Sequence, residues 1–119
     1  MISTTLELAQ ILDSIFSGKL LGADSLTAMH EPVDVHTEHP LFRRPAYGLG
    51  LMIDRASRFG IMAGHGGGGP GYSAGALTLP DARGHRITSI ALANSDHDDL
   101  GLQIAFSNAM AIGESFESN

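Results

Sequence analysis

Four stretches of alternating apolar residues, joined by short links, most restrict what this chain can fold into. They run from Tyr47 to Arg55, Phe59 to His65, Tyr72 to Leu79 and Arg86 to Asn94. Alternation with a period of two is typical of β-strands, because successive side chains point to opposite faces. The links are too short for crossover connections, so neighbouring strands should form hairpins. The sequence therefore predicts a four-stranded antiparallel meander.

Helical patterns flank these strands on both sides. Between Thr4 and Gly18, five apolar residues fall on one face of a helix: Leu8, Ile11, Leu12, Ile15 and Phe16. Thr4 followed by Glu7 is typical of a capping box, and Gly18 suits the helix end. A shorter helix is predicted over 25–30 and a C-terminal helix over 96–112. The predicted fold class is α+β, with N- and C-terminal helices flanking the meander.

The remaining segments are predicted to be irregular. Residues 31–46 contain three prolines, at positions 32, 40 and 45, which disfavour regular secondary structure. The segment is therefore predicted to be a loop. The tail at 114–119 is expected to fray. Since no repeat or linker divides the chain, residues 1–119 are predicted to form one domain.

The charge balance and the absence of cysteine exclude several classes of function. Thirteen acidic against seven basic side chains give a net charge of −6, whereas a nucleic-acid surface needs a basic stripe. The absence of cysteine excludes a disulfide scaffold, a thiol nucleophile and a cysteine zinc site. No apolar run approaches the ~20 residues of a membrane helix, and no signal-peptide pattern opens the chain. We expect no nucleic-acid partner and no membrane partner, and the compartment is left open.

The glycine-rich run at 64–72, Gly-His-Gly-Gly-Gly-Gly-Pro-Gly-Tyr, is the densest motif and has several interpretations. A flexible hairpin turn is the simplest. A phosphate-binding loop fails because no lysine follows and no helix opens there. An esterase would use His65–Gly68 and the serine of the Gly-x-Ser-x-Gly motif at 71–75, but that serine needs a helix after it. Residues 76–79 have strand character instead, so the esterase interpretation is rejected.

Two polar clusters resemble metal sites only in composition. The first lies in the proline-rich loop and comprises His30, Glu31, Asp34, His36, Glu38 and His39. Such residues bind zinc or nickel when their geometry is fixed, which a loop with prolines does not provide. The second, at 96–99, is better explained as a helix cap. No metal and no cofactor are expected.

The order of segments resembles the C-terminal part of the serine β-lactamase and penicillin-binding-protein superfamily, in its class C β-lactamase and D-alanyl-D-alanine carboxypeptidase branch. The matching stretches are Ser3–Ala9, Gly18–Leu21, Ser25–Met29, Tyr47–Leu51, Gly64–Tyr72, Leu79–Asp81 and Ile90–Asn94. They occur in the order of that superfamily and cover nearly the whole chain. The resemblance implies that the chain is the C-terminal portion of a β-lactamase-like domain.

The resemblance also implies roles for four residues of the glycine-rich run. His65, Gly66 and Gly67 align with the Lys-Thr-Gly box, whose strand forms one wall of the active site. His65 would hold a substrate carboxylate or assist proton transfer. Gly66 and Gly67 would let the substrate backbone lie against the strand. The backbone N–H of Gly68 would be one of two oxyanion donors.

The chain departs from the superfamily at its other two catalytic boxes. It has no Ser-x-x-Lys, since its single lysine, Lys19, has Phe16 three residues before it. Neither of its two tyrosines, Tyr47 and Tyr72, begins a Tyr-x-Asn motif. A serine without an adjacent base is not activated. We therefore expect a fragment of a serine hydrolase that acts on β-lactams, D-alanyl peptides or esters, and we expect the fragment to be inactive alone.

Two kinds of partner would complete such a fragment. One is an N-terminal companion fragment, and the other is a second copy that pairs along the strand at 86–94. That strand is expected to be an open edge with Ile87 and Ala91 partly uncovered, which invites pairing with another chain. The alternative function is a non-catalytic remnant or interaction module that assembles through the same edge.

Overall fold

The computed structural model describes residues 2–116 and contains a six-stranded antiparallel sheet with three α-helices. The elements, in chain order, are α1 (Thr5–Phe16), α2 (Ala23–Met29), β1 (Val33–Asp34), β2 (Pro45–Tyr47), β3 (Met52–Ser57), β4 (Gly60–Gly69), β5 (Tyr72–Ala82), β6 (His85–Ala93), a 3₁₀ turn (His97–Asp99) and α3 (Leu100–Ser115). Strand order in the sheet follows chain order. The α+β class and the antiparallel meander are confirmed, whereas the predicted number of four strands was wrong.

The two additional strands arise at the proline-rich segment and its junction with the first predicted strand. Gly50 has a φ of +69°, which turns the chain sharply and divides the stretch 47–55 into the end of β2 and the start of β3. Val33 then pairs with Tyr47. The segment 31–46, predicted as a loop, therefore contains β1 and the first two residues of β2.

The glycine-rich run is part of a strand and not a connection. β4 continues to Gly69, and the turn falls at Pro70 and Gly71, where φ is +84°. Gly66 to Gly69 pair in register with residues 75 to 72 of β5. Pairing with β5 therefore outweighs the low strand propensity of glycine.

Helices cover both faces of the sheet. α3 packs on β5 and β6, over a core of Phe42, Phe59, Met62, Leu77, Leu79, Ala82, Ile87, Ala91, Leu102, Ala105 and Ala109. A second cluster on the opposite face contains Ala46, Leu51, Ile53 and Ala63, with Phe16 and Met29 packed against it. Ile87 and Ala91, expected to be partly uncovered, are buried because α3 lies over them.

The ends of the helices agree with the sequence at α1 and differ at α3. The capping box is confirmed: the Glu7 N–H donates to Thr4 Oγ1 at 3.2 Å, and the Thr4 N–H donates to Glu7 Oε2 at 3.1 Å. α3 starts at Leu100 and not at 96, because Asp98 and Asp99 both have positive φ. No helix described within residues 2–116 is long and apolar enough to span a bilayer.

The predicted tail is ordered over its first three residues. α3 continues to Ser115, and the ring of Phe116 stacks on His85 with 3.9 Å between the ring centroids. Residues 114–116, predicted as part of the tail, therefore include the last two residues of α3 and Phe116 directly after it. Residues 117–119 lie outside the described residues.

A buried carboxylate ties the middle segment to the sheet. Asp54 of β3 is completely buried and accepts hydrogen bonds from the backbone N–H groups of Arg43, Arg44 and Ala56, each at 3.0 Å. Three donors satisfy a charge that would otherwise be costly to bury. Asp54 therefore anchors the chain just before β2.

Candidate functional site

The strand that carries the histidine-glycine run has an open edge along half of its length. β3 begins at Met52, which lies opposite Gly64, so β3 leaves residues 65–69 of β4 without a partner on that side. β5 pairs with the other side of β4 as far as Gly69. Alternate residues of an antiparallel strand direct their N–H and C=O groups to each edge. Residues 65–69 therefore offer backbone donors and acceptors that β3 does not pair, and of these the Gly66 carbonyl oxygen contacts His65 Nδ1.

The glycines of this edge differ in what keeps a side chain out. A Cβ at Gly64 would overlap the carbonyl oxygen of Ala76, and a Cβ at Gly69 would lie 2.5 Å from Tyr72 Oη. A Cβ at Gly67, in contrast, would have no heavy atom within 4 Å. Packing against the backbone of β5 therefore explains Gly64, and at Gly69 the obstacle is the exposed side chain of Tyr72, which can turn away. Gly67 keeps an open surface free of a side chain.

A cleft of about 370 Å³ runs along this edge. Its lining comprises Gly66, Gly67, Gly68, Gly69, Tyr72, Ala74, His39, Met52, Asp96, Asp99 and Leu102. Three of the four predicted site residues, Gly66, Gly67 and Gly68, therefore line one cavity. The fourth, His65, does not line it and lies on the strand directly before it.

His65 is exposed and makes two polar contacts. Its Nε2 lies 3.0 Å from the hydroxyl of Tyr47, and the two rings meet edge to face at 81°. Its Nδ1 contacts the carbonyl oxygen of Gly66. The contact between Tyr47 and His65 could not be predicted from the sequence, because the two residues are 18 positions apart and no local spacing connects them.

Carboxylates from the β6–α3 connection form the far wall of the cleft. Asp96 accepts a hydrogen bond from the Gly71 N–H at 3.0 Å, which joins this connection to the β4–β5 turn. Asp99 lines the cleft beside it. His97 pairs with Asp98 at 3.0 Å between Nε2 and Oδ2. Within this cluster, His97–Asp99 form the short 3₁₀ turn that precedes α3.

The serine of the Gly-x-Ser-x-Gly motif is a structural residue. Ser73 lies inside β5 and is 4% exposed. Its hydroxyl donates to the Ser95 carbonyl oxygen at 2.6 Å and accepts from the Gly101 N–H at 2.9 Å. A Cβ at Gly75 would lie 2.5 Å from the Gly101 carbonyl oxygen, so this glycine allows α3 to pack closely. The motif therefore serves helix packing, and Ser73 has neither the exposure nor the position of an esterase nucleophile.

Two polar residues of the proposed loop cluster, His30 and Asp34, have separate partners. Nδ1 of His30 lies 2.9 Å from the Leu26 carbonyl oxygen. Asp34 pairs with Arg55 at 2.6 Å, and this hydrogen bond holds the pKa of the Asp34 carboxyl below its usual value. Within residues 2–116, no three histidine or acidic side chains converge on a point that could hold a metal ion.

Comparison with solved structures shows a likeness to an amidohydrolase. No protein-family model and no curated protein match the chain. The chain is similar to the crystal structure of a D-stereospecific amidohydrolase from Streptomyces sp., with a TM-score of 0.65 and 30% sequence identity. The match covers 90% of this chain and 29% of that chain. The chain thus spans less than a third of the length of the amidohydrolase and shares its fold over that part.

Proposed function

We propose that this chain is the C-terminal portion of a β-lactamase-like serine hydrolase, and that the open edge of β4 binds the acyl part of an amide or ester substrate. One observation carries the proposal. The His-Gly-Gly segment lies on a strand that extends beyond its neighbour and borders a cleft, in a fold shared with part of an amidohydrolase.

The open edge suits a substrate that contains an amide group. An extended acyl-amide can add to a strand edge through backbone hydrogen bonds. Gly66 and Gly67 leave the approach free, because neither residue carries a side chain. The N–H of Gly68 would donate to the oxygen that becomes negative when the carbonyl carbon is attacked, and a single such donor elsewhere supplies about 2.7–4 kcal/mol.

The nucleophile and its base would come from another segment. The chain has no Ser-x-x-Lys and no Tyr-x-Asn, and the Ser73 hydroxyl already donates its proton to the Ser95 carbonyl oxygen and accepts from the Gly101 N–H. Nothing activates a serine in the isolated chain. In the completed site, His65 would accept or return a proton near the scissile bond.

Activity of the isolated chain and of a chimera tests this proposal. The isolated chain should neither hydrolyse a chromogenic cephalosporin or p-nitrophenyl ester nor form an adduct with labelled penicillin. A chimera in which this chain replaces the matched part of the Streptomyces amidohydrolase should hydrolyse an amide substrate of that enzyme. His65→Ala in the chimera should lower kcat/KM by about 10²-fold or more.

The matched control is His36→Ala, which removes an exposed histidine distant in sequence from the glycine edge. It should leave the rate of the chimera unchanged. A folded chimera with no hydrolysis, or equal rates for the His65→Ala and parent chimeras, would refute the proposed role. A stoichiometric adduct on Ser73 of the isolated chain would revive the esterase interpretation.

The second candidate function is an interaction module that assembles through β6. β6 is the last strand of the described sheet, contains no lysine or proline, and exposes 51% of Leu92. Such an edge can pair with a second copy by two-fold symmetry. We therefore propose a homodimer where no N-terminal companion is present.

Sedimentation measurements test the dimer. The isolated chain should sediment as a dimer, and Leu92→Lys should shift it toward the monomer, because a lysine on an edge strand disfavours pairing with another chain. Leu49→Lys is the matched control, since Leu49 is 65% exposed and lies in the β2–β3 turn. A folded 12.5 kDa monomer of the parent chain would exclude this assembly.

A further inference from the structure

We propose that Tyr47 is a positioning residue for His65 and holds its neutral imidazole in the tautomer with the proton on Nδ1. This inference deepens the proposed function, because it identifies which ring nitrogen carries the basic lone pair. It rests on the proposed function only for its catalytic meaning, since the tautomer can be measured in the isolated chain.

The tautomer follows from the two contacts of the imidazole. Nδ1 of His65 faces the carbonyl oxygen of Gly66, and a carbonyl oxygen can only accept a hydrogen bond. Nδ1 therefore carries a proton. In a neutral imidazole the other nitrogen, Nε2, is then an acceptor. Tyr47 Oη lies 3.0 Å from Nε2 and must donate its proton to it.

The backbone around Tyr47 fixes the position of the phenol. Tyr47 is the last residue of β2 and pairs with Val33 on one side and Met52 on the other. The following residue, Gly48, donates its N–H to the Leu51 carbonyl oxygen at 2.8 Å and closes the turn. A Cβ at Gly48 would overlap the Met29 carbonyl oxygen, so this turn also packs closely against α2. The Tyr47 hydroxyl is therefore presented by a tightly held hairpin.

The two hydrogen bonds together orient the imidazole ring. Rotating the ring by 180° would place carbon atoms opposite both the Gly66 carbonyl and the Tyr47 hydroxyl, and both hydrogen bonds would be lost. The edge-to-face contact with the Tyr47 ring, at 6.0 Å between centroids, further restricts rotation. His65 is thus held with Nε2 toward Tyr47.

With His65 in its neutral form, this arrangement suits the second of the two roles that the resemblance implied for the residue, proton transfer. When the phenol turns its O–H away, the lone pair on Nε2 would accept the proton of the attacking hydroxyl that another segment supplies. One O–H bond breaks at that hydroxyl and one N–H bond forms at Nε2, and the new Nε2–H then donates to the Tyr47 oxygen. The neutral His65 is therefore placed for proton transfer, with Tyr47 as the group that orients it.

The test is the tautomer of His65, measured by long-range ¹H–¹⁵N NMR on the isolated chain at alkaline pH. We expect the ¹⁵N shifts of a protonated Nδ1 and an unprotonated Nε2. His39 is an internal reference with the opposite state, because its Nδ1 accepts N–H bonds from Leu41 and Phe42 at 3.1 Å each. The His39 signals also report that the fold is intact.

Tyr47→Phe removes only the hydroxyl and should shift the His65 proton from Nδ1 toward Nε2, while His39 stays unchanged. Tyr72→Phe, which removes the other tyrosine hydroxyl of the chain, should change neither histidine. A parent His65 protonated on Nε2 would overturn the proposal even if Tyr47→Phe failed to fold. An unchanged tautomer in folded Tyr47→Phe would overturn it as well. Failure of the amidohydrolase chimera would refute the proposed function without altering this measurement.

Discussion

Replacing Ser73 by alanine should destabilise the chain through the start of α3, although the sequence motif around Ser73 suggests catalysis. Asp99 precedes α3 but makes no side-chain cap hydrogen bond. The Ser73 hydroxyl instead accepts from the N–H of Gly101, the second residue of α3, and thereby acts as a cap supplied by β5. The same hydroxyl donates to the Ser95 carbonyl oxygen at 2.6 Å.

The magnitude follows from these two hydrogen bonds. Loss of a side-chain cap costs about 0.5–2 kcal/mol, and loss of a neutral hydrogen bond costs about 0.5–1.5 kcal/mol. Ser73→Ala should therefore lower the free energy of unfolding by about 2 kcal/mol. With a urea dependence of about 2 kcal/mol per molar, the midpoint should fall by roughly 1 M.

Urea unfolding followed by circular dichroism, at one protein concentration for all variants, measures this change. Ser89→Ala is the matched control, because Ser89 is also buried on the α3 face but makes no side-chain hydrogen bond within residues 2–116. Its free energy of unfolding should change by less than about 0.5 kcal/mol. Equal midpoints for Ser73→Ala and the parent chain would show that Ser73 does not cap α3.

Two further predictions concern the glycine edge and the buried carboxylate. Gly64→Ala should lower the free energy of unfolding by about 1–3 kcal/mol or more, since its Cβ would overlap the Ala76 carbonyl oxygen. Gly67→Ala should change the free energy of unfolding little or raise it by about 0.4–1 kcal/mol. Equal destabilisation of the two variants in urea unfolding would contradict this distinction. Asp54→Ala should cost about 3 kcal/mol or more, because three backbone N–H groups lose their acceptor. Asp54→Asn should lower the free energy of unfolding less than Asp54→Ala does, since one acceptor oxygen is retained. Thermal unfolding measures both variants, and a lower melting temperature for Asp54→Asn than for Asp54→Ala would contradict this prediction.

The sequence alone was sufficient wherever the interaction is local. The capping box joins Thr4 and Glu7 within one turn of helix, so the start of α1 was predictable from residues that contact each other in the chain. Alternation and short links were likewise enough for an antiparallel meander, because hairpin connections leave few other topologies.

The tertiary structure alone decided the features that join distant residues. The glycine run became strand and not turn because β5 pairs with it and α3 packs above it, and neither effect is visible in the local composition. The role of Ser73 depended on the position of Gly101, 28 residues later. The partnership of His65 with Tyr47 depended on the hairpin that carries Tyr47 beside β4. Residue types and their order therefore identified the candidate edge, whereas the direction of each hydrogen bond at that edge was set by contacts that only folding brings together.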